Sequence, residues 1–243
     1  DVEYVCQPVA AEPENTEERK PAGWWVIPDI KATGIAPFRV IIQSDEKSKE
    51  LSSEQSEIDA TNTSLTNGVV SLDVDPATGA LLKLTNSNVN GGENLLKGEQ
   101  SNFTFAWQDE PNNWPAWNLE HYWERKIDTK NDQNVEVKLV EQGPVFAILQ
   151  ITKNILENPI TQKITLMKDC PEVFMEYLTD WQKERKLLKV LYQTTTDAEY
   201  STADIAYAAI KRKTKPETRC DQARFEKIMH KYCDISAPDR SWG

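Results

Sequence analysis

Val70-Ser71-Leu72-Asp73-Val74-Asp75-Pro76-Ala77-Thr78-Gly79-Ala80-Leu81-Leu82-Lys83-Leu84-Thr85 is the stretch whose reading decides the fold. Val70, Leu72 and Val74 alternate with Ser71, Asp73 and Asp75, the period of a strand with one buried face. Pro76-Ala77-Thr78-Gly79 turns the chain. Leu82 and Leu84 then alternate with Lys83 and Thr85, so the unit reads as an antiparallel hairpin with Val70, Leu72, Val74, Leu82 and Leu84 facing inward. The pattern recurs downstream. Asn90-Gly91-Gly92 is a turn, and Phe103, Phe105 and Trp107 share one strand face. Val135, Val137 and Leu139 alternate with Glu136 and Lys138; Gln142-Gly143-Pro144 turns, and Val145 to Ile155 runs back. Ile160, Ile164 and Leu166 line one face of the next strand, and Asp169-Cys170-Pro171 turns again. Val173 to Thr179, Lys186 to Gln193, Ala203 to Ile210 and Arg224 to Tyr232 continue the series. Successive strands joined by short turns predict an all-β, antiparallel β-sandwich.

Upstream, Asp1 to Lys20 is polar and acidic and reads as a tail. Gly23 to Gln43 holds Trp24, Trp25 and the run Phe38-Arg39-Val40-Ile41-Ile42, two expected strands around Gly34. Ser44 to Ser64, rich in Ser, Glu, Lys and Asp, reads as a linker or long surface loop. The expected organisation is an N-terminal β segment with an acidic linker or loop over residues 1–64, and the sandwich over 65–243.

The chain has 243 residues, enough to bury a core without covalent staples. Its formal net charge of −11 repels phosphate backbones and anionic bilayers, which speaks against nucleic acid and membrane surfaces as partners. No apolar run approaches the ~20 residues of a membrane span, and Asp1-Val2-Glu3-Tyr4 lacks the features of a signal peptide. Cys6, Cys170, Cys220 and Cys233 are widely spaced without a CxxC pair, so they read as buried free thiols. Together with the N-terminus they favour the cytoplasm. Sequons occur at Asn62-Thr63-Ser64 and Asn102-Phe103-Thr104, meaningful only in a secreted chain.

The candidate chemistry lies in Asp109-Glu110-Pro111-Asn112-Asn113-Trp114-Pro115-Ala116-Trp117-Asn118-Leu119-Glu120-His121-Tyr122. Two prolines argue for a rigid loop rather than a core strand. Flat aromatic faces beside carboxylates and amides suit a sugar: rings cover its C–H face and polar groups take its hydroxyls. Trp114 and Trp117 read as the exposed platform and Trp107 as core, whereas Trp24, Trp25 and Trp181 fit either. Asp180 and Glu184 flank Trp181, but among 39 acidic residues no catalytic pair can be singled out. His121 and His230 are the only histidines and form no metal-ligand spacing, so no metal site is expected within the chain. Lys211-Arg212-Lys213-Thr214-Lys215 reads as a solvated strand end.

Four stretches in order resemble the β-sandwich region that follows the catalytic domain in glycoside hydrolase family 38, the α-mannosidases. They are Leu65 to Gly79, Asp109 to Tyr122, Thr179-Asp180-Trp181-Gln182-Lys183-Glu184-Arg185-Lys186-Leu187-Leu188-Lys189-Val190, and Ile210 to Ser236 with Ala223-Arg224-Phe225-Glu226 and His230-Lys231-Tyr232-Cys233-Asp234. The likeness spans about Pro28 to Gly243, and the family's sandwich continues beyond that point. Pro115 stands where the family commonly has an acid, Gln182 and Lys215 where it often has His, and Tyr232 where it often has Trp.

The resemblance implies a galactose-mutarotase-like supersandwich from a retaining α-mannosidase. The full-length enzyme would hydrolyse terminal α-linked mannose from glycans with zinc held upstream; this chain itself would carry neither cofactor nor catalytic aspartate and would be inactive alone. Its implied partners are an upstream α/β catalytic domain and mannose-containing glycans, with Asp109, Trp114, Trp117, Asn118, Tyr122, Asp180 and Trp181 as rim residues. A buried Asp180–Lys189 ion pair is the structural alternative for Asp180. Two other functions are weighed. One is a stand-alone carbohydrate-binding module; the other is a mutarotase-type epimerase, for which only His121 and His230 could serve.

Overall fold

The computed structural model describes residues 6–9, 23–26, 58–98, 101–115, 117–121, 133–226, 229–237 and 240–242. It is an antiparallel all-β sandwich. Strands β3 (Asp59–Ala60), β4 (Ser64–Thr66), β5 (Val70–Val74) and β6 (Leu81–Asn86) form one sheet in that order. Strands β8 (Gln133–Gln142), β9 (Phe146–Ile155), β10 (Asn158–Met167) and β11 (Val173–Thr179) form the second. Strand β7 (Phe103–Gln108) pairs with β12 (Lys186–Leu191). The remaining sheet runs β14 (Ala208–Lys213), β13 (Tyr200–Ile205), β15 (Cys233–Ala237), β16 (Arg240–Trp242). A two-stranded ribbon, β1 (Cys6–Val9) with β2 (Gly23–Val26), lies upstream. The expected strand at Phe38 to Ile42 lies outside the described residues.

Two inward faces make the main core. Leu65, Val70, Leu72, Val74 and Leu81 meet Ala147, Leu149, Ile151, Ile164 and Leu166. Each fully buried aliphatic side chain here contributes about 1.5–3 kcal/mol. Ile58 belongs to the same core, so the sandwich starts inside the segment Ser44 to Ser64. The Asp75 turn is self-capped: its carboxylate accepts from Ala77 N at 2.9 Å and Thr78 Oγ1 at 2.8 Å.

Several expectations need correcting. Cys6–Val9, within the stretch read as a tail, is a strand paired with Gly23–Val26. Leu82 does not face the core. Asp73 pairs with Lys83, but Val74 pairs with Leu81, so Leu82 is the extra residue of a β-bulge. Leu81 is buried in its place and Leu82 is 42% exposed. Ala203 to Ile210 is not one strand; it folds back between β13 and β14, with Tyr207 at φ 64° in the turn. The described residues of Arg224 to Tyr232 form no strand of their own; only the end of the stretch meets β13, where Asp204 N donates to Tyr232 O at 3.2 Å and Asp204 O accepts from His230 N at 3.3 Å. A helical turn, Arg219–Gln222, precedes it, set by a capping box between Thr218 and Asp221.

The Asp204 carboxylate reinforces that join. Asp204 Oδ1 accepts from the backbone N–H groups of His230 at 3.1 Å, Lys231 at 2.7 Å and Tyr232 at 2.9 Å. The Tyr232 and Lys231 amides lead in holding its pKa below the ordinary carboxylate value. A depressed folded pKa contributes stability that is complete above the unfolded value of about 3.9 and is lost as pH falls through the folded one. The amide resonances of Lys231 and Tyr232 should therefore hold steady from neutrality to about pH 5 and move only below about pH 4. Movement near neutrality would contradict the clamp.

A polar layer crosses the second half of the sandwich. Along the inward row of β9, buried Lys153 interrupts Ile151 and Ile155; along β10, buried Gln162 interrupts Ile160 and Ile164. Tyr177 Oη donates to Asn102 Oδ1 and lies 3.2 Å from Gln162 Nε2 and 2.8 Å from Tyr192 Oη. Burial is the largest cause raising the Tyr177 and Tyr192 phenol pKa values, which keeps both neutral. Asn102 has no exposed surface, so its sequon is closed to modification in the folded chain, while Asn62 is exposed. Cys170, Cys220 and Cys233 are free thiols, but contrary to expectation none is buried; Cys220 is exposed and the other two are half-buried.

Candidate functional site

Beyond the polar layer lies a second, smaller core of Ala106, Ile155 and Ile160, with Leu156, Trp181 and Leu188 packed on it. This end of the sandwich gathers three segments. Strand β7 leaves at Asp109, whose N–H donates to Arg185 O at 2.9 Å and so ties it to the start of β12. The β9–β10 turn is tied to the segment before β12. Gln182 N donates to Asn158 Oδ1 at 3.1 Å, and Lys183 pairs with Glu157 at 3.2 Å. Residues 109, 156–158 and 180–185 thus form one rim.

The rim is strained. Leu156 (φ 48°), Glu157 (φ 69°) and Arg185 (φ 54°) occupy the left-handed region, and Trp114 (φ 61°) does so further along the loop from Asp109. Among the described residues, Tyr207 is the one other side chain bulkier than Asn or Asp in that state. Each such residue costs about 1–2 kcal/mol, and backbone strain of this kind concentrates where function holds it.

The loop itself presents flat apolar faces to solvent. Trp114 is 73% exposed and Trp117 is 90% exposed. A turn links them: Trp114 O accepts from Trp117 N at 3.0 Å and Asn118 N at 2.9 Å. Asn118 Nδ2 donates to Glu120 Oε1 at 3.2 Å, which leaves its carbonyl oxygen outward as an acceptor. The rim also offers polar atoms without protein partners. Asp109 Oδ1, an acceptor, and Trp181 Nε1, a donor, are both buried and unpaired. A hydroxyl group accepts and donates at once, and so could satisfy both kinds of atom.

Of the residues singled out in the sequence, Asp109 and Trp181 lie together at the rim, and Trp114, Trp117 and Asn118 stand on the loop leaving it. Tyr122 lies outside the described residues. Asp180 is exposed and accepts from Gln182 Nε2 at 2.5 Å. It makes no pair with Lys189, whose partner is Glu226, so the buried Asp180–Lys189 ion pair does not form. The reason is strand parity: Lys189 lies opposite Phe105 on the aromatic face of β7, away from the Asp180 turn. That face packs Phe103 against Phe105 and Phe105 against Trp107 in tilted pairs, with centroids 4.5 and 5.4 Å apart. Leu156, Glu157 and Arg185 were not expected at the site. Leu, Glu and Arg stand at the left-handed positions themselves, where Gly or Asn would have signalled them.

His121 and His230 are both exposed. Among the described residues no three His, Cys, Asp or Glu side chains converge to hold a metal.

Residues 65–242 match the model of the glycosyl hydrolases family 38 C-terminal domain. The chain is 27% identical over 176 residues to human alpha-mannosidase 2C1, covering 71% of this chain and 16% of that protein. It is 25% identical over 186 residues to an alpha-mannosidase of Saccharomyces cerevisiae, covering 71% of this chain and 17% of that one. The chain thus spans about a sixth of the length of these relatives. Its fold is similar to that of an alpha-mannosidase from Enterococcus faecalis V583, with a TM-score of 0.56 at 14% identity over 97% of this chain and 29% of that one.

Proposed function

The chain belongs to glycosyl hydrolase family 38, through that family's C-terminal domain, and from that premise we propose that it is the non-catalytic sandwich of a retaining α-mannosidase. In this reading it packs on an upstream α/β catalytic domain and lends rim residues to the site where terminal mannose is held. The same reading places the enzyme in the cytoplasm, where the free thiols Cys170, Cys220 and Cys233 stay reduced.

The observation that carries the proposal is the pair of exposed indoles on the proline-bounded loop, Trp114 and Trp117, leading from the rim that holds Asp109 and Trp181. An indole covers the C–H face of a pyranose, and the unpaired Asp109 and Trp181 atoms answer its hydroxyls. These groups position substrate; none is placed to break a bond. Pro115 removes an acid from the loop, so orientation falls to Asp109 and Asn118.

In the full-length enzyme carrying this domain, Trp117→Ala should raise KM for an α-mannoside about tenfold with kcat little changed, the mark of lost ground-state binding. Unaltered KM in Trp114→Ala, Trp117→Ala and Asp109→Ala alike would refute the rim. The exposed indoles also suit a free-standing binding module. Saturable quenching of Trp fluorescence by mannose oligosaccharides on the isolated chain would favour that second reading.

A further inference from the structure

The sheet formed by β14, β13, β15 and β16 has two unlike faces. Ala203, Ile210 and Cys233 share register on one of them, where Ala203 is buried. On the other, Thr202 stands directly between Lys211 on β14 and Asp234 on β15, its cross-strand partners. Neighbouring side chains of one sheet face lie about 4.5–5.5 Å apart at Cβ, so these three present a hydroxyl, an ammonium and a carboxylate side by side. They line a cleft of about 280 Å³ together with Glu199, Tyr200 and Ser236.

The cleft's chemistry is specific about charge. Lys211 Nζ lies 4.4 Å from the centre of the Tyr200 ring, which holds the ammonium at the wall. Ser236 Oγ donates to Asp234 Oδ1 at 2.6 Å, leaving Oδ2 of that carboxylate as an outward acceptor. Two carboxylates with one ammonium disfavour an anion. The ammonium in turn disfavours a metal cation, and among the described residues no three acidic, His or Cys side chains converge on one. A neutral ligand with adjacent hydroxyls fits: each hydroxyl donates to a carboxylate and accepts from Lys211 or Thr202. The volume falls just below the range of sites for drug-sized ligands, about 300–1,000 Å³, and suits one sugar ring.

We propose that this cleft is a second saccharide-binding site, taking a single neutral hexose unit through Thr202, Lys211, Asp234 and Ser236, on a different sheet from the Trp114–Trp117 loop. It rests on the proposed glycan-processing role only for the choice of mannose as probe. Titrating methyl α-D-mannopyranoside into the isotope-labelled 243-residue chain, with amide spectra recorded at each step, tests it. Saturable shifts are expected at Thr202, Lys211, Asp234 and Ser236, with Kd on the order of 1–10 mM. Asp234→Ala should weaken them about tenfold, and Trp117→Ala should leave them intact. If Asp234→Ala unfolds the chain, Thr202→Val, which removes one hydroxyl, replaces it and should also weaken binding. Several outcomes overturn the cleft: no shifts there, shifts indifferent to both variants, or equal shifts with glycerol or with inorganic phosphate. Shifts confined to Trp114, Trp117 and Asn118 overturn it while supporting the rim, so the two readings fail separately.

Discussion

Asn67→Ala is expected to destabilise the folded chain by about 2–4 kcal/mol. Asn67 is 4% exposed and sits in the turn between β4 and β5. Its Oδ1 accepts from Val69 N at 3.0 Å and Val70 N at 2.7 Å, which shapes the turn. Its Nδ2 donates to Met167 O at 2.6 Å and Cys170 O at 2.8 Å, at the turn joining β10 to β11. One side chain therefore ties the two sheets of the sandwich together at one corner. Alanine would leave buried backbone groups on both sides without partners, and that desolvation is what makes the loss large. Asn67→Asp separates the two halves of the role. A carboxylate still accepts from Val69 and Val70 but cannot donate to Met167 and Cys170, and it adds a buried charge beside two carbonyls. It should destabilise at least as much as alanine in chemical denaturation. A loss below about 0.5 kcal/mol for both variants would show that the corner is held by other contacts.

Gly79→Ala should cost about 2–5 kcal/mol. Gly79 closes the hairpin turn at φ 70°, where its N–H donates to Asp75 O at 2.7 Å. An L side chain there carries left-handed strain of about 1–2 kcal/mol. A Cβ would also stand 2.5 Å from Ile151 Cγ2, in the fully buried core of the opposite sheet. Relief requires moving β9 or the turn, and overpacking of this kind costs a further ~1–3 kcal/mol. Gly68→Ala is the control: its φ is 82°, but a Cβ there meets nothing within 4 Å. It should show the strain alone, so the difference in denaturation midpoint between the two variants reports the Ile151 collision.

The alternating stretches were legible because burial on one face of a strand writes itself into every second residue. The rows Val70/Leu72/Val74 and Ile160/Ile164/Leu166 are inward as that period requires. Leu82 was not legible, since a bulge is a pairing event between two strands and leaves no local mark in Leu81-Leu82-Lys83. Tyr207 was hidden for a similar reason: a left-handed tyrosine replaces the glycine or asparagine that usually announces a turn. The stretch 224–232 was read as a strand from its side chains, and at its end the amides of His230, Lys231 and Tyr232 are satisfied in order. The Asp204 carboxylate satisfies all three, and its backbone bonds Tyr232 O and His230 N as well. At the rim, prolines and asparagines around Trp114 and Trp117 signalled an exposed loop, and both indoles are exposed. Asp109 is tied to Arg185, and Glu157 and Asn158 to Lys183 and Gln182. That adjacency follows from how the sheets pack and could not be read from any one stretch.

The central claim is that this sandwich holds and frames a mannoside without cleaving it. The most direct test is release of mannose from an aryl α-mannoside by the pure chain, assayed with and without added zinc. The account predicts no release above the uncatalysed background in either condition. Turnover that survives repurification and scales with chain concentration would contradict it.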